Sequence, residues 1–551
     1  MHDQKMRIMI FKRIKIFLYL PVILIVLIHG GNIHSIEKIT TFPGEYQNDQ
    51  FGISVSTAGD FNGDGYIDLV VGANLEDSGG DAAGRCYLYL GGMTPDSIPD
   101  MTFTGSTADR LGTRVAGGGD INNDGYDDIA VYASGSSGDP GEVYIFLGGC
   151  SLDGVPDAVL TGTKSGDRFG RGMSINGDIN GDGCSDLIIG ASEADSSGTV
   201  YIYFGGNPFD TDEDITINGE NTGDFFGDMV DAGGDVNGDG EDDLLIGAPR
   251  NDDGAVWGGK AYLYLGGAAF DTIPDASMTG ASIGDWFGAA GKIVRDLNAD
   301  SMDEMIVSAP YFNNIYGDDA GIIYLFLGAS NPDGIQDGTI PGGSYEEQLG
   351  YSLSCTDADG DGIEDIIAGA PGYGGAGVQF GRVYLFKGEY PLSSSPLFTY
   401  QSADTLGELG ISVAGLRHFT RHDGGGGSFT AGGWNIGGTG TASLFGEEII
   451  VTDSDTAEEI SKQVVDIYPN PASSDLKIRC TLAKRDEVRM AIYDVTGRKI
   501  TDIAEGVYGK GALIRSWNPR NNGENPLSRG VYFVVVRIGE RAFTRKLLIM
   551  K

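Results

Sequence analysis

The chain has 551 residues, 90 of them glycine, and a formal net charge of −42 at pH 7. A polyanion of that size repels nucleic acid and anionic lipid, so neither is expected as a partner. Five cysteines (Cys86, Cys150, Cys184, Cys355 and Cys480) are odd in number and irregular in spacing, which excludes a disulfide framework or a CxxC zinc site.

Residues 1–35 read as a signal peptide. Lys5, Arg7, Lys12, Arg13 and Lys15 form a basic start, Ile16 to Ile28 is an apolar run, and Gly30, Gly31 and Ser35 are small residues suited to cleavage. The apolar run is short for a membrane span of about 20 residues, although an uncleaved anchor is the alternative. No later stretch is apolar enough to cross a bilayer, so the mature chain is expected to have no transmembrane segment and to be exported. Next, Ile39-Thr-Thr-Phe42 alternates like a strand but precedes any repeat. It is expected to close a ring from the far end, because open sheet edges invite aggregation.

Six oxygen-rich loops follow. The first is Asp60-Phe-Asn62-Gly-Asp64-Gly65-Tyr66-Ile-Asp68, with oxygen side chains at positions one, three, five and nine and glycine at position six. Position seven (Tyr66) offers its backbone carbonyl. Oxygens at this spacing can converge on one hard cation at about 2.3–2.6 Å. The other copies are Asp120, Asn122, Asp124, Tyr126 and Asp128; Asp178, Asn180, Asp182, Cys184 and Asp186; and Asp235, Asn237, Asp239, Glu241 and Asp243. Two more are Asp296, Asn298, Asp300, Met302 and Glu304, and Asp357, Asp359, Asp361, Ile363 and Asp365. Up to six Ca²⁺ ions are expected. The fifth loop should bind least, since Ser301 replaces glycine and Glu304 replaces the last aspartate. These are not EF-hands, which need an acid at position twelve between helices. Here position twelve is Val71, Val131, Ile189, Ile246, Val307 or Ala368, inside a short apolar run that reads as a buried strand.

The loops sit in a longer repeat. Phe51-Gly52, Leu111-Gly112, Phe169-Gly170, Phe226-Gly227, Phe287-Gly288, Leu349-Gly350 and Leu409-Gly410 recur about every 60 residues. After each pair come a strand, the loop, an apolar strand ending in a triplet such as Gly247-Ala-Pro249, an aromatic strand such as Tyr262-Leu-Tyr-Leu, and a fourth segment such as Met101-Thr-Phe-Thr104. Four short strands per unit and no helical period predict an all-β seven-bladed β-propeller over residues 36–452. Residues 37–450 resemble the FG-GAP repeat family, known from the integrin α-subunit head and bacterial surface proteins. Pair, loop, triplet and period all occur in order. The seventh unit departs from that pattern. It runs through Arg421-His-Asp-Gly-Gly-Gly-Gly427 without a DxNxDG loop and is expected to be a blade without calcium.

Residues 453–465 form a linker, polar from Asp453 to Gln463. About seven alternating runs in residues 466–551 predict a small C-terminal β-sandwich. The order Tyr468-Pro-Asn-Pro471, Ile492-Tyr-Asp-Val-Thr-Gly-Arg-Lys-Ile500, Ser528-Arg-Gly-Val-Tyr-Phe533 resembles the type IX secretion C-terminal sorting domain. It also looks like the FlgD-type immunoglobulin-like domain, which Trp517 would suit. The first implies an address read by a secretion apparatus at the outer surface of a diderm bacterium. The second implies a plain terminal domain.

There is no GxSxG elbow, HExxH or P-loop, and His418, His422 and Asp423 sit in a glycine-rich loop. A catalytic role is therefore not expected. Loops on the face opposite the calcium sites carry Trp257, Tyr311, Phe312, Tyr316 and Tyr373, with Trp286 either beside them or packed between blades. Exposed aromatics of this kind anchor partners. The expectation is a secreted or cell-surface adhesion or ligand-binding protein with an unknown protein or glycan ligand. The alternative is a calcium-dependent lectin or polysaccharide-acting enzyme.

Overall fold

The apolar run after each oxygen-rich loop is a wholly buried strand. Asp68–Ala73, Asp128–Ala133, Asp186–Ala191, Leu244–Ala248, Glu304–Ala309 and Asp365–Ala370 are buried at every position. Continuous burial fits the second strand of a blade, which has a blade on either side and so no solvent face. The computed structural model describes residues 36–447 except 93–96, 136–137, 151, 375–378, 404–406, 417–418, 420–426 and 435–437. Beyond them it describes the segments 465–468, 476–482, 486–494, 498–508, 511–518, 530–538 and 541–549. The expected signal peptide, His418, His422 and almost all of the linker lie outside the described residues.

Seven four-stranded antiparallel sheets follow one another along the chain, as a β-propeller requires. Six are simple meanders, for example Ser54–Gly59, Asp68–Ala73, Arg85–Tyr89 and Met101–Thr104. The seventh joins Ser412–Leu416, Ser428–Gly433 and Thr441–Glu447 to the first strand of the chain, Ile36–Pro43. That strand pairs antiparallel from Ile36↔Glu447 to Pro43↔Thr441, so the segment around Ile39–Phe42 does complete the last blade.

The core is a series of layers between blades. One layer packs Phe42, Phe51, Leu69, Val71 and Tyr87 against Leu416, Phe419 and Leu444. The repeated pairs explain how the layers fit. Phe51, Phe169, Phe226 and Phe287 stand 5.2–5.5 Å, ring centre to ring centre, from Tyr87, Tyr201, Tyr262 and Tyr324 of the third strands. The glycine beside each phenylalanine has another task. Gly227 takes φ +83° and its carbonyl lies 1.9 Å from where a Cβ on Gly190 would sit. Neither residue can carry a side chain without pushing the blades apart.

The C-terminal strands form a three-stranded sheet (Val465–Tyr468, Leu476–Leu482, Gly511–Trp517) and a four-stranded sheet (Lys499–Tyr508, Asp486–Asp494, Gly530–Ile538, Arg541–Ile549). Ile478, Cys480 and Leu513 of the first share one core with Met490, Val534 and Leu547 of the second, which makes a sandwich. All five cysteines are free.

Candidate cation loops and the opposite face

Each oxygen-rich loop joins the first strand of a blade to the second, so all six occupy equivalent places on one face. Glycine at position six has φ between +85° and +99° in five of them (Gly65, Gly125, Gly183, Gly240, Gly362), which L side chains avoid. That bend turns backbone amides inward. The position-six amide donates to Oδ2 of the position-one aspartate at 2.7–3.0 Å in loops one to four and six. The position-seven amide donates to Oδ1 of the position-five aspartate at 2.9–3.1 Å in all six. These bonds fix the carboxylates while leaving each with lone pairs free for a cation.

Position nine is the most constrained. Asp68, Asp128, Asp186, Asp243 and Asp365 are fully buried. Each accepts at Oδ1 from a glycine amide at 2.7–2.9 Å: Gly91, Gly148, Gly205, Gly266 and Gly388 in turn. Burial nevertheless pushes Asp68 up to about 8 and the other four up to about 7, with the neighbouring loop acids adding to the effect. Carboxylates gathered at low polarity favour either a proton or a cation.

The fifth and sixth loops deviate. In the fifth, Ser301 is forced to φ +72° and its amide makes no bond to Asp296. Glu304 accepts from Leu297 at Oε2, but its longer side chain leaves Oε1 buried without a partner. In the sixth, Asp357, Asp359 and Asp361 bring carboxylate oxygens within 4.8 Å of one another. The Lys387 ammonium donates to Asp359 at 2.8 Å and also to Asp361. Burial acts to raise Asp361, yet Lys387 outweighs it and holds Asp361 below the ordinary range. An ammonium bridging two ligand carboxylates stands where a divalent ion would, so the cradle fits a cation. At the matching place the other blades have Leu90, Leu147, Phe204, Leu265 and Leu327.

Position eight escaped the sequence reading. Asp127, Asp242 and Asp303 accept, through a carboxylate oxygen, the position-one amide of the preceding blade's loop: Asp60 at 2.6 Å, Asp178 at 2.9 Å and Asp235 at 2.9 Å. Ser185 donates its amide to the Asp120 carbonyl at 3.1 Å instead. The loops are thus chained edge to edge. Position eight of the first loop is Ile67, which packs beside Phe419 and Leu416 of the loopless seventh blade. A polar residue at position eight was the available signal, and the apolar Ile67 stands at the one junction whose neighbour has no DxNxDG loop.

The opposite face divides the aromatic candidates. Trp257 is 51% exposed and Tyr316 56% exposed. Tyr311 is half-buried and packs edge-on against Trp286 at 5.0 Å. Phe312 is half-buried and packs on the core between blades four and five, so it is not the exposed aromatic that its place in the loop suggested. Tyr373 lies under the Arg382 guanidinium at 3.3 Å. Trp286 is half-buried and faces Arg250 at 4.7 Å, with Phe225 at 4.2 Å and Trp257 at 5.8 Å from the same guanidinium.

Comparison with known proteins agrees with this architecture. Residues 51–89, 111–146, 176–203, 226–264 and 349–386 match the FG-GAP repeat, and residues 466–550 match the secretion system C-terminal sorting domain. The matched repeats fall in blades one to four and six, leaving out the blade with the altered loop and the one with none. Integrin alpha-5 of Xenopus laevis is 35% identical over 193 residues, covering 33% of this chain and 18% of the integrin. Integrin alpha-IIb of Mus musculus is 41% identical over 170 residues, 29% of this chain and 16% of the integrin. Integrin alpha-V of Gallus gallus is 30% identical over 323 residues, 53% of this chain and 30% of the integrin. The chain therefore spans less than a third of the length of each of these relatives. The chain thus carries five FG-GAP repeats and a type IX sorting domain and is similar to integrin α subunits, and the sorting domain marks it for the outer surface or the exterior of a diderm bacterium. The tail match favours the sorting domain over the plain terminal sandwich.

Proposed function

We propose that this exported integrin-α-like propeller is a calcium-binding adhesion or ligand-binding protein and not an enzyme. The observation that carries the reading is a division of labour between faces. Four DxNxDG loops, together with Asp357, Asp359 and Asp361 of the sixth loop, spend their oxygens on cradles of the cation-binding kind on one face. The other face carries exposed Tyr316, and exposed Trp257 beside a guanidinium held among aromatic rings. Calcium on the first face would keep the blades in place, and the second face would meet the ligand. Millimolar external calcium suits sites of the weak, extracellular kind.

Residues 466–551 would engage the secretion apparatus and then hold the propeller outside. Whole cells treated with an external protease test the reading. The full chain should be digested from outside, and a chain ending at 452 should be protected. Purified full chain should adhere to a ligand-bearing surface in calcium and lose adhesion in EDTA. A chain that binds no cell, matrix or glycan surface in either condition would sink the proposal.

A further inference from the structure

In blades one to five the residue two places beyond the second strand donates its amide to the carbonyl two places before the Phe-Gly or Leu-Gly pair, at 2.9–3.4 Å. These residues, Leu75, Gly135, Glu193, Arg250 and Tyr311, therefore stand at matching points of the face opposite the cation loops. The residue just before the pair is fixed as well, with φ between +39° and +62° in all seven blades. In blade three the two positions hold Glu193 and Arg168, which form an ion pair at 3.0 Å. In blade four they hold Arg250 and Phe225, so the cation has changed places and the carboxylate is gone.

Arg250 lies among three rings instead. Its guanidinium carbon is 4.2 Å from the Phe225 ring centre, 4.7 Å from that of Trp286 and 5.8 Å from that of Trp257. Rings attract the charge but do not take the place of an oxygen acceptor. Nε is buried without a partner, and among the described residues no oxygen accepts from the two terminal nitrogens. The acids nearest in the chain are turned elsewhere. Asp224 accepts from the Asn251 side chain at 2.6 Å, Asp252 from the Trp257 amide at 2.7 Å and Asp253 from the Lys260 ammonium at 2.8 Å. Trp257 is pinned at φ +54°, and its carbonyl accepts from the Trp286 amide at 3.2 Å. A half-exposed indole is thus held beside a cation that lacks an anion.

We infer that Arg250 and Trp257 form a binding site for a sugar that carries a carboxylate, of the uronic-acid kind. With Nε shut off, the open edge of the guanidinium is the one made by its two terminal nitrogens. A planar carboxylate fits that edge with two parallel hydrogen bonds. A guanidinium partly removed from water and left without an oxygen is costly, and the anion offsets that cost. The carbon face of a pyranose ring then covers the exposed part of Trp257 and takes apolar surface out of water. An Asp or Glu side chain would bring the carboxylate but no ring to cover the indole. The net charge of −42 repels a polyanion at long range, so the fitting ligand is a single acidic sugar in an otherwise neutral glycan. This rests on the reading above that the face opposite the cation loops meets the ligand.

The test titrates the full chain, in calcium, into methyl glucuronide, methyl glucoside and N-acetyl-glutamate amide, and follows the probes' own NMR signals. The glucuronide should bind at least about tenfold more tightly than the glucoside, as expected for hydrogen bonds to a charged group. R250Q should abolish that preference, and Arg250→Lys, which keeps the charge but loses the fork, should retain part of it. Trp257→Ala should weaken glucuronide binding about tenfold and leave the glutamate probe unmoved. The calcium-dependent melt verifies that each variant is folded. Equal binding of glucuronide and glucoside, or an unchanged preference in folded R250Q, overturns the inference. A glutamate probe that binds as tightly as the glucuronide also overturns it and assigns the site to an acidic peptide. If wild type ignores the glucuronide yet adheres to a ligand-bearing surface in calcium, the inference fails and the ligand-binding reading stands. If wild type adheres to nothing, that reading fails on its own evidence.

Discussion

Removing calcium should lower the melting temperature of the propeller by an amount that can be worked out. Loops one to four keep the whole set of amide bonds to positions one, five and nine, whereas loop five has lost one and loop six holds Lys387. With a Kd of about 0.1 mM for an extracellular-type site, calcium at about 10 mM stabilises each occupied loop by about 2.7 kcal/mol. Four such loops contribute about 11 kcal/mol. Unfolding releases about 2.1 cal/mol/K per residue, so the ring from Ile36 to Glu447 carries roughly 0.9 kcal/mol/K and the midpoint should move by about 12 °C. A tenfold weaker site roughly halves the shift to about 6 °C. Calorimetry of the full chain in EDTA, in calcium and in magnesium measures it. A calcium shift under about 1 °C on this scale would refute the reasoning, because it would mean that the buried acids are satisfied without the ion.

The loops should also rank. Asp182→Ala or Asp239→Ala should remove about a quarter of the calcium shift and Asp300→Ala less, and the opposite order in the same calorimeter would contradict the geometry of loop five. Replacing Lys387 by Met should add about one calcium per chain in isothermal titration, since it takes the tethered ammonium off Asp359 and Asp361; unchanged stoichiometry and affinity would show that Lys387 does not compete. Phe312→Ala should cost about 2 kcal/mol in chemical denaturation through lost packing, and Tyr316→Ala less than about 0.5 kcal/mol. Equal effects would mean that the two side chains are equally exposed.

Much of the ring was readable because its signals are local. The Asp60-to-Asp68 spacing, the Phe-Gly pairs and the buried run after each loop specify a unit without reference to any other. Even the displaced strand at Ile39–Phe42 could be placed, because a closed ring has room for only one more edge. What could not be read depends on neighbours in space. Lys387 lies 22 residues beyond Asp365 in sequence and reaches the loop only because the third strand of the blade ends beside it. Asp127 looks like part of its own loop but serves the one before. Tyr311 and Phe312 look like exposed loop aromatics in sequence, yet Trp286 and the blade-four core come to them from across a blade boundary.

The shared seventh blade has a mechanical side. The chain enters the ring at Ile36 and leaves it at Glu447, and these two residues are partners in one register. If the sorting tail tethers the protein and a ligand pulls on the propeller, the load enters along the strand Thr441–Glu447. It is then carried as shear across the seven paired positions with Ile36–Pro43, and equally against Ser428–Gly433 on the other side. Bonds loaded side by side give way together or not at all, unlike those of a strand peeled from an edge. The strand that closes the circle therefore also takes up part of the tension, and a propeller whose last blade were built from consecutive strands alone would lack that lock.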